Sequence, residues 1–224
     1  MRERPSGRSR CARRCAVAAG IVLAVAAIAV ASPLSNGGES GLWTFSEDPV
    51  GEPPRGWEVL SGRWAVQLEE DGRNRVLVQT GPPLPGFELP AILAPTPPAR
   101  DLRAAVKVKP AGTSAFETMG LILRWRDPGT MTIVRVEGTP GRIWLDRVQD
   151  GQRSLRAGYI APLHQAGWNI LRVTAQGDWL NLFLNGRFLG GVREDDPVPG
   201  RVGLMAGPGA RVFLDDLEVE APST

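Results

Sequence analysis

Cysteine is almost absent from this 224-residue chain, and its position limits what the protein can be. The two cysteines, Cys11 and Cys15, both precede an uncharged apolar run near the N-terminus. Everything after residue 31 therefore has no thiol, no disulfide and no cysteine ligand for a metal ion. We expect the stability of that part to come from an apolar core.

Histidine and excess positive charge are also scarce. His164 is the one histidine, in a loop sequence, which excludes a histidine-rich metal site and leaves serine–histidine catalysis without a motif. Residues 1–15 hold six arginines and one glutamate, a net charge of +5. The whole chain is +2, so the remainder is 2 − 5 = −3. This charge excludes nucleic-acid binding as an expected function.

The first 31 residues have the pattern of an export signal. The basic head is followed by sixteen uncharged residues, 16–31, which end in Ala29-Val30-Ala31. Sixteen residues are fewer than the roughly 18–20 of a committed transmembrane helix. We expect either cleavage after Ala31 or retention of an apolar helix over 16–31 as a membrane anchor. In both cases the rest is exported, and membrane contact is expected only through this segment.

The remaining sequence predicts a single all-β domain. Residues 32–41 are a small polar linker, residues 42–220 the domain and residues 221–224 a tail. The domain consists of fourteen short runs of alternating or β-branched residues separated by Gly, Pro, Asn and Asp, with none between Val148 and Trp168. This pattern is typical of a sandwich or barrel.

Three turn or loop segments carry a clear signal. Asn185-Gly186 predicts a tight hairpin because both residues tolerate positive φ. Pro128 predicts a turn between two strands. The proline-rich residues 81–100 predict a surface crossing with one short edge strand at 91–93, because proline cannot donate to a sheet.

Four segments resemble the concanavalin A-like jelly roll. They carry a Gly-x-Trp, a Gly-Leu-x-x-Arg strand, a Trp-x-x-Leu-x-Val strand, an Asn-Gly hairpin and an Asp-Asp closing strand. In particular, they resemble the bacterial family-16-like 3-keto-disaccharide hydrolase domain. The resemblance implies a jelly-roll sandwich of two antiparallel sheets with ligands on a concave face, but this superfamily includes lectins, hydrolases and silent adhesion modules. The segments are GWEVLSGRWAV (56–66), GLILRWRDPGTMTIVRVEG (120–138), WNILRVTAQGDWLNLFLNGRFLGGV (168–192) and GRVGLMAGPGARVFLDDLEVE (200–220).

The hairpin at 121–137 separates an apolar face from a polar face. If residue 126 faces 131, Trp125 joins Leu121 and Leu123 on the core face. Pairing 135 with 144 and 133 with 146 then extends the opposite face onto the next strand. The candidate ligand-binding residues on that exposed face are Arg124, Arg135, Glu137, Trp144 and Asp146.

This residue mixture has two interpretations. An indole ring covers the C–H face of a sugar, while arginine and carboxylate groups bind its hydroxyls. Alternatively the face is a solvated sheet surface with cross-strand ion pairs, in which Trp144 packs under Arg135 as a cation–π pair. The sequence leaves both open.

Catalytic and metal-binding signals are weak. Glycoside hydrolysis generally needs two carboxyl groups, and the Glu-x-Asp-x-x-Glu pattern of hydrolases in this superfamily is missing. Glu137 and Asp146 are the best carboxylate pair. A structural calcium ion would draw on Asp215 or Asp216, but no loop has calcium-ligand spacing; no other cofactor is predicted.

We therefore expect an exported carbohydrate-binding or surface-interaction module whose partner is a glycan or a cell-envelope polysaccharide. A non-catalytic role is favoured because the acid pair is missing. The alternatives are a glycoside-directed hydrolase of the 3-keto-disaccharide type and a structural envelope protein.

Overall fold

A computed structural model describes five ranges of the chain. The predicted signal or anchor, with its helix over 16–31, and the linker up to residue 39 lie outside them. The described strands belong to one compact unit, Ser35–Thr224. Within the described ranges, no helix has both the length and the apolar character needed to span a membrane. The ranges are 40–69, 71–110, 117–138, 141–164 and 167–222.

The described ranges contain fifteen strands, joined by turns and loops, and no helix. The strands are β1 (Ser40–Trp43), β2 (Glu58–Ser61), β3 (Arg63–Leu68), β4 (Arg75–Gly81), β5 (Ala91–Leu93), β6 (Leu102–Pro110), β7 (Thr118–Asp127), β8 (Thr130–Glu137), β9 (Arg142–Gln149), β10 (Gln152–Ile160), β11 (Asn169–Gln176), β12 (Trp179–Leu184), β13 (Arg187–Arg193), β14 (Arg201–Ala206) and β15 (Val212–Glu220).

These strands form two antiparallel sheets packed face to face, which confirms the predicted sandwich. The 8-stranded sheet has the order β13-β12-β11-β6-β15-β4-β3, with β1 also pairing with β15. The 7-stranded sheet has the order β10-β9-β8-β7-β14-β5-β2. Between them lies the core, where side chains such as Leu121, Val134 and Leu145 meet Leu171 and Val173. Alternation along each strand sends the remaining side chains to the outer faces.

Both predicted turns are confirmed. Asn185 and Gly186 have φ values of 51° and 79° and connect β12 to β13. This is the left-handed region in which Asn and Gly are tolerated and a two-residue hairpin is favoured. At Pro128, the flanking residues Asp127 and Thr130 pair directly across the β7–β8 turn.

Strand β5 corrects one prediction. It lies inside the 7-stranded sheet, between β14 and β2, and its three residues are buried, so the predicted edge position is wrong. Pro90 and Pro95 flank the strand without belonging to it, and therefore remove no hydrogen-bond donor from its ladders. A proline-rich sequence can thus contain an internal strand if that strand is short enough.

The register of the β7–β8 hairpin corrects a second prediction. At the turn, Asp127 pairs with Thr130, which is the predicted register. Farther along the hairpin, Ile122 pairs with Ile133, which lies two residues from the partner expected in that register. A bulge therefore adds two residues to β7. Within the bulge the left-handed backbone of Arg124, with a φ of 52°, interrupts the alternation, and Trp125 packs on the outer face with Ile122 and Met131. The predicted core position of Trp125 is wrong, and so is the exposed position of Arg124, which is fully buried.

Candidate functional site

The β8–β9 register is as predicted and brings four of the five candidate residues together. Arg135 pairs with Trp144, residue 133 pairs with Asp146, and Glu137 pairs with residue 142. The intervening core-facing positions, such as Val134 and Leu145, are fully buried. Arg135, Glu137, Trp144 and Asp146 therefore share the outer face of the 7-stranded sheet.

Hydrogen bonds link these four side chains into one network. Arg135 Nε donates to Asp146 Oδ2 at 2.8 Å, and an Arg135 terminal nitrogen donates to Glu137. Trp144 Nε1 donates to Glu137 Oε2 at 2.7 Å. The Arg135 guanidinium carbon lies 5.6 Å from the centroid of the Trp144 ring, which is the cation–π pair expected of the second interpretation. The network also holds each group in a fixed orientation.

A further arginine, which the sequence did not predict, completes this surface. Arg153 on β10 donates to Asp146 Oδ2 at 2.6 Å and to Glu88 Oε2 at 3.1 Å. Burial lowers the pKa of Arg153, but the bonds to Asp146 and Glu88 outweigh burial and raise it on balance. We call Arg135, Glu137, Trp144, Asp146 and Arg153 the polar patch.

Gly158 makes room for the aromatic member of the polar patch. It pairs with Trp144 across β9 and β10. A Cβ atom at position 158 would lie 2.5 Å from one atom of the Trp144 ring and 2.8 Å from another. The indole ring therefore occupies the space that a larger residue at 158 would need.

An apolar pocket of about 340 Å³ continues the same face toward the hairpin turns. Met131 pairs with Val148, and Val148 pairs with Arg153, so these three side chains share a face. Ile122 contributes another wall, and residues 86–89 line the pocket from the crossing that follows β4. The predicted crossing thus covers part of this face and leaves the polar patch beside it.

Arg124 belongs to a different, buried cluster. The bulge gives it a φ of 52°, and its side chain forms an ion pair with Glu194. Its other nitrogens donate to the carbonyl oxygens of Arg100, at 3.1 and 2.9 Å, and of Gly177, at 3.1 Å. Burial lowers the pKa of Arg124, and Glu194 opposes that shift. These contacts join separate parts of the sandwich, so Arg124 has a structural role here.

The two carboxylates predicted as weak catalytic candidates are both occupied. Arg135 and Trp144 bind the two oxygens of Glu137. The side chain of Asp146 is only 4% exposed, and its Oδ2 accepts from Arg135 and Arg153. This pairing suits a positioning network better than acid–base chemistry on a glycosidic bond.

The predicted calcium candidates also have protein partners. Asp215 Oδ2 accepts from Asn74 at 2.9 Å, and Asp216 forms an ion pair with Lys107 at 2.5 Å. Calcium takes six to eight oxygen ligands, and a lysine beside two carboxylates does not fit that donor set. Across the described ranges, no group of three or more His, Cys, Asp or Glu side chains is placed to hold a metal ion. His164 is exposed in its loop, as predicted.

Solved structures with the same fold include carbohydrate-binding proteins and a hydrolase. The carbohydrate-binding module CBM66 from Bacillus subtilis has a TM-score of 0.61 and 17% identity, over 74% of this chain and 96% of that chain. Domain 4 of AbnA, a GH43 extracellular arabinanase from Geobacillus stearothermophilus, in complex with arabinotriose, has a TM-score of 0.56 and 14% identity, over 82% and 94%. A Bacillus licheniformis β-glucanase has a TM-score of 0.55 and 11% identity, over 84% and 100%.

These likenesses show the fold, which is a jelly-roll sandwich of the concanavalin A-like type. No protein-family model and no curated protein matches the sequence. The resemblance to the 3-keto-disaccharide hydrolase domain therefore stays a prediction. Because one fold hosts many activities, function must be argued from the polar patch and its surroundings.

Proposed function

We propose that this protein is a carbohydrate-binding module and that the polar patch is its binding surface. The observation that carries the proposal is the half-buried Trp144 ring held beside Arg135 and Glu137 on the outer face of one sheet. Structures that share the fold support it, since one is a carbohydrate-binding module and another holds arabinotriose. The partner is a glycan or a cell-envelope polysaccharide.

The polar patch provides the two kinds of contact that a sugar needs. The indole ring offers apolar surface to the C–H face of a pyranose or furanose. The side chains of Arg135 and Glu137, 17% and 29% exposed, offer charged hydrogen-bonding groups to hydroxyls. Because their mutual hydrogen bonds already hold these side chains, little conformational entropy is lost when a sugar binds.

Replacing the ring tests the proposal. We expect Trp144→Ala to weaken binding on a glycan array or in affinity gels by at least about tenfold, which is typical of a central aromatic contact. Trp179→Ala is the matched control, because Trp179 is 53% exposed on a strand of the other sheet. Unchanged binding by Trp144→Ala, or an equal loss with Trp179→Ala, would remove the polar patch as the binding surface.

The same preparation separates binding from hydrolysis. We expect no product from 3-keto-disaccharides or β-glucans, because Glu137 and Asp146 are both paired with Arg135. Turnover that is lost in Glu137→Gln would favour the glycoside-directed hydrolase. A protein with neither binding nor turnover would be a structural envelope protein.

We also propose that the protein is exported and is either secreted or anchored by residues 16–31. The basic head and the apolar run support this proposal. Deleting residues 1–31 should retain the protein inside the cell, and N-terminal sequencing of the exported protein should distinguish cleavage after Ala31 from an intact anchor. Export of the deleted chain at the normal level would contradict the proposal.

A further inference from the structure

We propose that the saccharide carries an acyl chain, with the sugar on the polar patch and the chain in the apolar pocket. This inference rests on the proposed function and specifies its ligand class. The polar patch and the pocket are two halves of one sheet face, and Arg153 belongs to both.

The two halves are continuous along individual strands. On β8 the outward side chains change from Met131 and Ile133 to Arg135 and Glu137. On the neighbouring strand, Val148 is followed on the same face by Asp146. Successive outward residues of a strand lie about 7 Å apart, so a chain attached to a sugar on the patch must span about 7–14 Å to reach Val148 and Met131 in the pocket.

The pocket has the chemistry of an acyl site. Its floor includes Ile122, Val148 and Met205, all buried, and Leu89 and Met131 form part of its rim. Its volume of about 340 Å³ falls within the range of small-molecule sites. Apolar walls offer nothing to sugar hydroxyls, whereas an acyl chain gains free energy from leaving water.

Trp125, another wall of the pocket, has an unused hydrogen-bond donor. Its Nε1–H is buried and has no partner among the described residues. A buried donor without an acceptor is unfavourable, and native structures generally satisfy such groups. Water does not reach this nitrogen, so the carbonyl oxygen of an ester that enters the pocket with its chain would reach it only when the indole ring turns toward the pocket. Such a turn would satisfy the donor, which favours an ester-linked acyl group over a plain hydrocarbon.

The test is a chain-length series measured by calorimetry. We would titrate the full-length protein with 6-O-acetyl-, 6-O-butanoyl- and 6-O-octanoyl-glucose, with the same three esters of galactose, and with methyl octanoate as a sugar-free probe. Each methylene that the pocket buries should tighten binding by about threefold to fourfold. We expect the octanoyl ester to bind at least about tenfold more tightly than the acetyl ester of the same sugar, for one sugar or both.

Matched variants locate the effect. Leu89→Gln places an amide in the pocket wall and should abolish the chain-length dependence. Leu84→Gln is the control, because Leu84 lies in the same crossing, is exposed and does not line the pocket. All three proteins carry residues 1–31, so any binding of acyl chains by that segment cancels in the comparison. Unchanged affinity for the acetyl esters shows that Leu89→Gln is folded.

The remaining outcomes overturn the inference in distinguishable ways. Equal affinity for acetyl and octanoyl esters, with glycan binding still sensitive to Trp144→Ala, overturns the acyl chain and leaves the proposed function intact. Equal binding of methyl octanoate and the octanoyl sugars, unaffected by Trp144→Ala, overturns both. A dimer in solution that Leu89→Gln dissociates overturns the inference, because a second copy then fills the pocket.

Discussion

Arg124 is a charged residue that the fold has buried completely. Its backbone adopts a left-handed conformation at the β7 bulge, and its guanidinium reaches Glu194 and two carbonyl oxygens. Thr132 also donates to Glu194, and Arg147 lies 3.3 Å from the same carboxylate. Burying a charge is costly unless it is paired and hydrogen-bonded, and here it is both.

Replacing Arg124 should therefore destabilise the domain strongly. Arg124→Met leaves the Glu194 carboxylate buried without its main cation, and we expect a loss of about 3–5 kcal/mol in the free energy of unfolding in urea. Arg126→Met, two residues away on an exposed side chain, is the control and should change stability by less than about 0.5 kcal/mol. Similar losses in the two variants would show that the cluster is not the cause.

Asp215 gives the stability of the domain a defined pH dependence. Burial raises its pKa above the ordinary 3.8, although Asn74 and the backbone of Asp216 oppose the shift with hydrogen bonds. The native state therefore binds a proton on the Asp215 carboxyl group more tightly than the unfolded chain does. The stability contributed by the group is present below about pH 4 and falls as the pH rises through the higher native pKa.

Asp215→Asn should remove that dependence because an amide does not titrate. The free energy of unfolding of the variant should rise relative to that of the wild type as the pH rises above about 4. The slope with pH is the readout, since the amide also changes the bond to Asn74. Asp71→Asn makes the same substitution in an exposed turn and is the control for exchanging a carboxylate for an amide. A parallel curve for Asp215→Asn would contradict the prediction.

At the scale of elements, β10 is the strand that the sequence did not predict. It pairs only with β9 at one edge of its sheet, and most of its residues are exposed, including Leu155 and Ile160. Only Ala157 and Tyr159, both half-buried, pack against the core, so the strand lacks the longer apolar alternation that predicts strands. This omission matters for the candidate site, because β10 provides Arg153 and Gly158.

Gly158→Ala tests whether β10 positions the aromatic ring. The added methyl group would lie within 3 Å of the Trp144 indole, and the ring should move because it is a partly exposed side chain. We expect glycan binding to weaken by at least about threefold, while stability changes by less than about 1 kcal/mol. Ser154→Ala is the control, because Ser154 is exposed on the same strand but pairs with Arg147 and not with a member of the polar patch. Normal binding by Gly158→Ala would show that the ring position is unimportant.

At the β7 bulge, the strand register predicted from the turn alone is wrong. Pairing at the turn and along β8–β9 agrees with the predicted register, because turn chemistry and alternation are local. The two extra residues in β7 are accommodated by contacts of Arg124 with Glu194 and with the carbonyl oxygen of Arg100, which are distant in sequence. No local pattern around Arg124 and Trp125 reports such contacts.

At the scale of the whole molecule, strand order decides which polar surfaces meet. The C-terminal hairpins place Arg172 and Phe183, both half-buried, on the outer face of the 8-stranded sheet, where the Arg172 guanidinium carbon lies 4.5 Å from the centroid of the Phe183 ring. The polar patch lies on the outer face of the other sheet. Alternation in the sequence puts Leu171, Val173, Leu180, Leu182 and Leu184 on one predicted face of these hairpins and Arg172, Asn181 and Phe183 on the other. It does not show whether that polar face joins the polar face predicted for the 121–137 hairpin, and the topology separates the two.

The sequence by itself determined the all-β class, the hairpin at Asn185-Gly186, the buried face of each C-terminal hairpin and the grouping of Arg135, Glu137, Trp144 and Asp146. These features depend on φ preferences and on a period of two, which act over a few residues. Only the tertiary structure decided the burial of Arg124, the internal position of β5, the addition of Arg153 and the pocket beside the polar patch. Each of these depends on pairing or packing between residues far apart in the chain, where burial and strand order outweigh local preference.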